Sequence, residues 1–323
     1  MGIFVMPALL KPKKKSYIAA AHYSSPYFTL LKRSGDNVTK ASTYTLPSIG
    51  YGCSFSPDGT YIAVGHDGSP YFTLLKRSGD SVSLASTYTL PNQCYSCSFS
   101  PDGTYIAVAH YSSPCFTLLK RSGDSVSLAS TYRLPSTGWG CSFSPDGTYI
   151  AVAHSGSPYF TLLKRSGNNV TKASTYALSN FGRGCSFSSD GTYIAVGQDG
   201  SPYFTLLKRS GDNVTKASTY TLPSIGYGCS FSPDGTYIAV AHDGSPYFTL
   251  LKRSGDSATK ASTYTLPGAG YSCSFSFDGN YIAVGHSGSP SFTLLKRSGN
   301  SVSLASTYTL PSIGRSCSFW ESS

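Results

Sequence analysis

The sequence has few charges, few methionine or tryptophan residues and no long apolar run. Charged residues make up 12% of the 323 residues, with two methionines and two tryptophans. No apolar stretch approaches the length of a membrane-spanning helix, so we expect no membrane insertion. The segment 1–15 carries its basic cluster after its apolar run, the reverse of a secretory signal peptide. Abundant Ser, Thr, Gly and Tyr instead favour β-sheet with tight turns over disorder.

The nine cysteines do not form a disulfide framework. Seven of them occupy one position of a repeat, so each would pair with a copy of itself, and seven is an odd number. Cys94 and Cys97 form a C-x-x-C, but no second pair or nearby histidine completes a zinc set. The sequence therefore predicts buried thiols, a reducing compartment for synthesis, and neither a cofactor nor a metal site.

The chain is built from seven copies of one 44-residue unit. A period of about 40–45 residues with four strand-like runs is typical of a β-propeller blade. We therefore predict an all-β fold, a single seven-bladed propeller over residues 16–323, with 1–15 as a docking or frayed tail. The marker cysteines of the units are Cys53, Cys97, Cys141, Cys185, Cys229, Cys273 and Cys317.

One unit shows how four antiparallel strands arise. Short apolar or Thr-rich runs at 53–56, 61–64, 72–75 and 85–90 read as strands. They are separated by Pro, Gly, Asp and Ser, which suit turns because Pro presets φ and Gly tolerates positive φ. The chain opens in mid-unit, so we expect the strand at 317–319 to join the N-terminal strands at 17–46 and close the ring.

The run FSPDGTYIAVGHDG at 55–68 resembles the WD-repeat propeller family in its turn and period. The resemblance covers 16–319, but Leu75-Lys76 stands where that family has Trp-Asp, so its Asp–His–Ser–Trp bonding set does not carry over. The repeated segments YIAVAH and SPYFTLLKRSGD are also similar to segments of propeller proteins from bacteriophage structural modules. The first resemblance implies a protein-interaction scaffold, and the second implies a virion component.

Positions that differ between units mark a candidate binding surface. Aromatic residues and arginine are enriched at binding hot spots, and loops on rigid scaffolds carry function. We assign the aromatic and arginine residues at the differing positions to a variable loop face that binds a ligand or partner. The open alternative is that these differences arose by neutral drift. The residues are Tyr51, Tyr95, Trp139, Arg183, Tyr227, Tyr271 and Arg315, with Tyr23 and Tyr111 in neighbouring loops.

All six histidines share one blade position, which Gln198 occupies in the remaining unit. A histidine ring can bind anions or respond to pH, since the intrinsic pKa is about 6.5. The competing and favoured interpretation is structural, because an amide can replace a hydrogen-bonding imidazole. The histidines are His22, His66, His110, His154, His242 and His286.

The expected function follows from uniform units and dispersed charge. The net charge of +10 is spread over the blades, which argues against nucleic-acid binding. No carboxylate pair or activated nucleophile stands out, so the sequence predicts a protein that is not an enzyme. The leading hypothesis is a phage tail or decoration protein, located in the virion, that binds a host-surface glycan or protein. The alternatives are a cytoplasmic scaffold and a secreted lectin-like propeller.

Overall fold

The computed structural model describes residues 15–322 as β-strands joined by short turns. The expected tail falls mostly on residues 1–14, outside the described residues. Between Lys15 and Ser322 there is no helix long and apolar enough to cross a membrane. The strands in chain order are β1 (Ser16–His22), β2 (Tyr27–Ser34), β3 (Asn37–Thr45), β4 (Gly50–Phe55), β5 (Tyr61–His66), β6 (Tyr71–Ser78), β7 (Ser81–Thr89), β8 (Cys94–Phe99), β9 (Tyr105–His110), β10 (Cys115–Ser122), β11 (Ser125–Arg133), β12 (Gly138–Phe143), β13 (Tyr149–His154), β14 (Tyr159–Ser166), β15 (Asn169–Ala177), β16 (Gly182–Phe187), β17 (Tyr193–Gln198), β18 (Tyr203–Ser210), β19 (Asn213–Thr221), β20 (Gly226–Phe231), β21 (Tyr237–His242), β22 (Tyr247–Ser254), β23 (Ser257–Thr265), β24 (Gly270–Phe275), β25 (Tyr281–His286), β26 (Ser291–Ser298), β27 (Ser301–Thr309) and β28 (Gly314–Glu321).

The strands form seven four-stranded antiparallel sheets arranged as a ring, which confirms the seven-bladed propeller. Blade 1 has the order β28-β1-β2-β3, and blades 2 to 7 are β4–β7, β8–β11, β12–β15, β16–β19, β20–β23 and β24–β27. The innermost strand of each blade contacts the innermost strands of both neighbours, and β28 contacts β24 and β4. The inner strands therefore surround a central channel.

Blade 1 is assembled from both ends of the described chain, as the sequence predicted. β28 pairs antiparallel with β1, with Ala20 opposite Cys317 and Ile18 opposite Phe319. Trp320 stacks on Tyr17 with ring centroids 6.3 Å apart. The last inner strand thus completes the sheet that the first three strands leave open.

The hydrophobic core lies between blades, in seven equivalent layers. Between blades 2 and 3, Phe72 and Leu74 of one sheet pack against Ile106 and Val108 of the next. All four side chains are fully buried. This explains why the second strand of each unit is apolar on both faces, because each sheet is covered on two sides.

The charged KRSGD segments join neighbouring blades. The Tyr61 hydroxyl donates to Asp124 of the next blade at 2.5 Å, and Lys76 Nζ lies 2.9 Å from the same carboxylate. The Arg121 guanidinium lies 4.5 Å from the Tyr61 ring centroid. The sequence interpretation of these charges as a solvated face is therefore incomplete, since they also pair across the seam between blades.

The two faces of the disc differ in their connections. One face carries the loops between second and third strands together with the loops leading into each inner strand; we call it the loop face. The Asp67 N–H donates to the Ile49 carbonyl at 2.9 Å, which ties two such loops together. The opposite face carries the repeated Ser-Pro-Asp-Gly turns. In one of them, Asp58 accepts hydrogen bonds from Ser56 Oγ and from the Thr60 N–H.

Candidate functional site

A pocket opens at the centre of the loop face. Its volume is about 260 Å³, just below the roughly 300–1,000 Å³ of drug-sized ligand pockets. This size suits a single sugar or a molecule of similar dimensions. We call the variable side chains that line it the mouth residues: Tyr51, Tyr95, Trp139, Arg183, Tyr227, Tyr271 and Arg315.

Each mouth residue projects into the channel because it lies on a β-bulge. Gly50 pairs with His66 and Gly52 pairs with Gly65, so Tyr51 between them has no partner in the register. A bulge of this kind turns a side chain away from the regular alternation of the strand. A Cβ on Gly50 would lie 2.6 Å from the Tyr27 carbonyl oxygen, which favours glycine there, although Cys94 takes the equivalent position in blade 3. The same register shift recurs in all seven blades.

Aromatic rings form much of the pocket wall. Tyr95 and Trp139 are stacked with centroids 4.3 Å apart, and Tyr51 meets the Tyr95 edge at 5.1 Å. On the other side Tyr227 and Tyr271 lie 5.1 Å apart. Such rings offer flat apolar faces with polar tips, which suits the mixed surface of a sugar.

The two arginines of the mouth differ in their charge partners. Arg183 binds Asp199 through two parallel hydrogen bonds of 2.5 and 2.6 Å and lies 4.4 Å from the Trp139 ring. Arg315 lies 4.5 Å from the Tyr271 ring and forms no ion pair with any residue from 15 to 322. Arg183 is therefore neutralised within the protein, whereas Arg315 keeps an uncompensated positive charge at the pocket.

Two buried N–H donors at the mouth have no hydrogen-bond acceptor in the described part of the chain. They are Arg315 Nε and the indole Nε1 of Trp139. Buried donors are nearly always paired, so each one that is not calls for an explanation. Because both groups can only donate, they would be satisfied by oxygen acceptors of a bound molecule.

Carboxylates surround the mouth tyrosines. Burial, and then the charge of Asp67, raises the pKa of Tyr51. Burial is also the main cause that raises the pKa of Tyr95 to about 12. On the opposite side, burial followed by the charge of Asp243 raises the pKa of Tyr227. These tyrosines are therefore protonated donors at neutral pH, and the nearby carboxylates are available as acceptors.

The ring of marker cysteines lies below the mouth, and its thiols are unreactive. Burial raises the pKa of Cys53 to about 11 and that of Cys141 to about 12. The Cys53 thiol points at the Ala19 carbonyl oxygen at 3.5 Å. Since the thiolate is the nucleophile, these residues supply none at neutral pH.

The histidines lie outside the pocket, buried between the strands of their own blades. His66 Nε2 lies 2.9 Å from Thr73 Oγ1, and His22 Nδ1 lies 2.8 Å from the Ser24 carbonyl oxygen. At the seventh position, Gln198 Oε1 accepts from Thr205 Oγ1 at 3.1 Å. Burial lowers the pKa of each of the six imidazoles to about 4.

Because these histidines are buried and neutral, we expect the folded protein to lose stability in mild acid. The unfolded chain binds protons near the ordinary pKa of 6.5, while the folded chain resists them down to about 4. Stability is therefore complete above about pH 6.5 and falls as the pH drops towards 4, summed over six residues. We expect the melting temperature followed by circular dichroism to fall steeply in this window.

The matched variant for the acid effect is His66→Gln, which copies the residue at Gln198. Removing one of six titrating groups should make the acid-induced fall in melting temperature smaller than in the parent. A parent melting temperature that stays constant from neutral pH to about pH 4.5 would contradict the assignment of neutral buried histidines.

The remaining candidate residues lie at the rim of the pocket. Tyr23 and Tyr111 are about half exposed on the loop face, outside the pocket lining. The sequence interpretation placed the mouth residues on surface loops, whereas the bulges direct them into the channel. Sequence reasoning also missed Asp199 as the partner of Arg183. The only sequence signal for Asp199 was its position directly after Gln198, in a loop whose residues differ between units.

One unit of this seven-bladed propeller is similar to a WD repeat. The family model for the WD domain, G-beta repeat, matches residues 42–71. No curated protein sequence matches the chain. Propellers of the WD-repeat kind generally mediate protein interactions, and specific partners of this chain stay a prediction.

Solved structures share the whole ring at low sequence identity. A candidate 6-phosphogluconolactonase from Bacteroides fragilis is 12% identical with a TM-score of 0.83, over 98% of this chain and 100% of that one. One from Bacteroides uniformis is 13% identical with a TM-score of 0.80, over 95% and 99%. The periplasmic gluconolactonase of Pseudomonas aeruginosa is 16% identical with a TM-score of 0.81, over 96% and 99%. At these identities the likeness shows the fold.

These neighbours contradict our prediction of a non-enzymatic phage virion protein. They are named as lactonases, and the comparisons give the proposed phage resemblance no support. The prediction was wrong because it judged catalysis by the uniformity of the units. The structure brings the few exceptions, including Trp139, Arg183 and Arg315, together around one pocket.

Proposed function

We propose that this protein is a hydrolase that opens small sugar lactones in the central pocket. The observation that carries the proposal is the pair of buried donors, Arg315 Nε and Trp139 Nε1, which have no acceptor within residues 15–322. A lactone carries a carbonyl, a ring oxygen and several hydroxyl oxygens, so it can satisfy both donors. The stacked rings of Tyr95 and Trp139 provide a flat surface for its C–H face.

Arg315 is the group that we assign to the developing charge. In the reaction, water adds to the lactone carbonyl carbon and gives a tetrahedral oxyanion. The bond from that carbon to the ring oxygen then breaks, the ring oxygen takes a proton, and a sugar acid is released. A guanidinium held against Tyr271 and not neutralised by a carboxylate stabilises the oxyanion more than the ground-state carbonyl.

Asp243, at the rim and outside the pocket lining, is the carboxylate that we assign as general base for a water at the mouth. It lies close enough to Tyr227 to raise the pKa of that hydroxyl, and it forms no ion pair with the residues between 15 and 322. Asp199 is a poorer candidate because both of its oxygens are bound by Arg183. The base takes a proton from the attacking water and returns it to the ring oxygen.

The names of the structural neighbours support this reaction class. The gluconolactonase of Pseudomonas aeruginosa matches 96% of this chain, so the two proteins share the fold that holds the central pocket here. The site argument is independent of that likeness, since it rests on the mouth residues of this chain. Both arguments lead to a sugar lactone.

The test is hydrolysis of glucono-δ-lactone by the purified chain, followed in a pH-stat at about pH 6.5, where the buried histidines do not yet destabilise the fold and the spontaneous reaction is slower than at alkaline pH. We expect saturable hydrolysis proportional to protein concentration. Asp243→Ser, which copies Ser155 and Ser287 of other blades, should lower kcat about 100- to 10,000-fold.

The matched control is Asp36→Asn on the opposite face, which copies Asn168 and Asn300 and should keep the parent rate. Hydrolysis at the spontaneous rate with the parent protein would refute the proposed function. An unchanged rate with Asp243→Ser would refute only the assignment of the base.

A further inference from the structure

Two exposed tyrosines stand beside the pocket without a role in the proposed reaction. Tyr23 is 43% exposed and Tyr111 is 51% exposed, in blades 1 and 3. Each directly follows the buried histidine of its blade. The other five blades have a small polar residue at this position: Asp67, Ser155, Asp199, Asp243 and Ser287. At this position, large aromatic side chains are therefore confined to blades 1 and 3.

The backbone of both tyrosines is hydrogen-bonded to loops that lead into the mouth, and the Tyr23 ring also lies near a mouth residue. The Tyr111 N–H donates to the Gln93 carbonyl at 2.9 Å, and the Gln93 side chain accepts from the Tyr95 hydroxyl at 2.7 Å. The Tyr23 N–H donates to the Ile313 carbonyl at 3.1 Å. Its ring centroid lies 5.7 Å from the Arg315 guanidinium. The two rings are therefore held on a rigid backbone, which limits the entropy lost on binding.

A carboxylate lies in the blade between the two tyrosines. Asp67 of blade 2 is near enough to Tyr51 and Tyr95 to raise the pKa of both hydroxyls, after the larger effect of burial. It forms no ion pair in the described part of the chain. An ionised carboxylate accepts hydrogen bonds only, and sugar hydroxyls can donate them. Aromatic rings in the blades on either side of such an acceptor match the alternating apolar and hydroxyl surface of a pyranose.

We propose that Tyr23, Asp67 and Tyr111 form a second sugar subsite, so that the preferred substrate is the lactone of a glycosylated aldonic acid. The lactone ring occupies the central pocket, and the neutral pyranose attached to it lies on the rim over blades 1 to 3. This proposal rests on the lactone hydrolase function proposed above. The central cavity, at about 260 Å³, takes one sugar ring, and the second ring gains its contacts outside it.

The test compares kcat/KM for cellobiono-δ-lactone and glucono-δ-lactone. One stacked ring is worth about 0.5–1.5 kcal/mol, so we expect the parent to prefer the disaccharide lactone by up to about tenfold. Tyr111→Ser, which copies Ser155, should lower the ratio of the two kcat/KM values at least about twofold, because the Tyr23 ring and Asp67 remain. The matched control is Phe277→Ser, which copies Ser189: Phe277 is 53% exposed and lies on the opposite face. It should leave the ratio at the parent value.

Equal kcat/KM values for the two lactones in the parent would overturn the subsite, as would a Tyr111→Ser variant that retains the parent ratio. If neither lactone is hydrolysed, the proposed reaction fails, and the subsite is then judged by calorimetry with the two sugar acids. Cellobionic acid that binds more tightly than gluconic acid, with the difference reduced by Tyr111→Ser, would uphold the subsite alone. Equal binding of the two acids would overturn it.

Discussion

Replacing Arg315 with glutamine should lower kcat/KM for glucono-δ-lactone by at least about 100-fold, comparable to loss of an oxyanion-stabilising donor. Glutamine keeps a donor and a similar length but removes the charge. The effect is large because Arg315 has no carboxylate partner within residues 15–322 and is flanked by the Tyr271 and Tyr51 rings. Its field is therefore directed at the ligand.

The matched control for Arg315→Gln is Arg133→Thr. Arg133 is exposed on the outer strand β11, where most other blades have threonine, so the variant loses the same charge far from the pocket. It should retain the parent kcat/KM. Melting curves of both variants should overlay that of the parent, which separates catalysis from folding. An Arg315→Gln enzyme with parental kcat/KM would remove Arg315 from the mechanism.

Deleting residues 314–323 should unfold or aggregate the protein. The segment contains β28, the innermost strand of blade 1, and buries Phe319 and Trp320 against neighbouring sheets. Loss of one buried aromatic side chain costs about 3–5 kcal/mol. Two of them, with the strand pairing to β1, approach the whole 5–15 kcal/mol that stabilises a typical domain. The edge of β1 that pairs with β28 would also be free to pair with other chains.

The measurements are melting by circular dichroism and size-exclusion chromatography. A shorter truncation after Glu321 serves as the control, because among the described residues it removes only the two hydrogen bonds between Lys15 and Ser322. We expect that control to remain a monodisperse ring with a nearly unchanged melting temperature. A monodisperse, cooperatively melting protein that lacks residues 314–323 would show that closure by β28 is dispensable.

Much of the fold could be read from local patterns. The unit length, the Pro-Asp-Gly turns and the split unit at the two ends led to the correct number of blades and the pairing of β28 with β1. These features depend on short-range backbone preferences and on burial of both sheet faces. They recur seven times, so a local signal was strengthened by repetition.

The bonds between blades could not be read in this way. Asp124 follows Lys76 by 48 residues, and their 2.9 Å contact exists only because successive sheets are turned about one axis. The sequence showed alternating charges, which also fit a solvated surface. Likewise, the bulge that directs Tyr51 into the channel depends on a register shift in pairing with β5.

The sequence by itself determined the strands, their number and the way the ring closes, because these follow from turn chemistry and apolar patterning within each unit. Only the tertiary structure decided what the exceptional residues do. Trp139 and Arg315 are separated by 176 positions in the sequence. Their buried N–H donors without acceptors nevertheless lie at the same pocket. A circular arrangement brings equivalent positions of distant units to a common centre, and no property of a single unit contains that convergence.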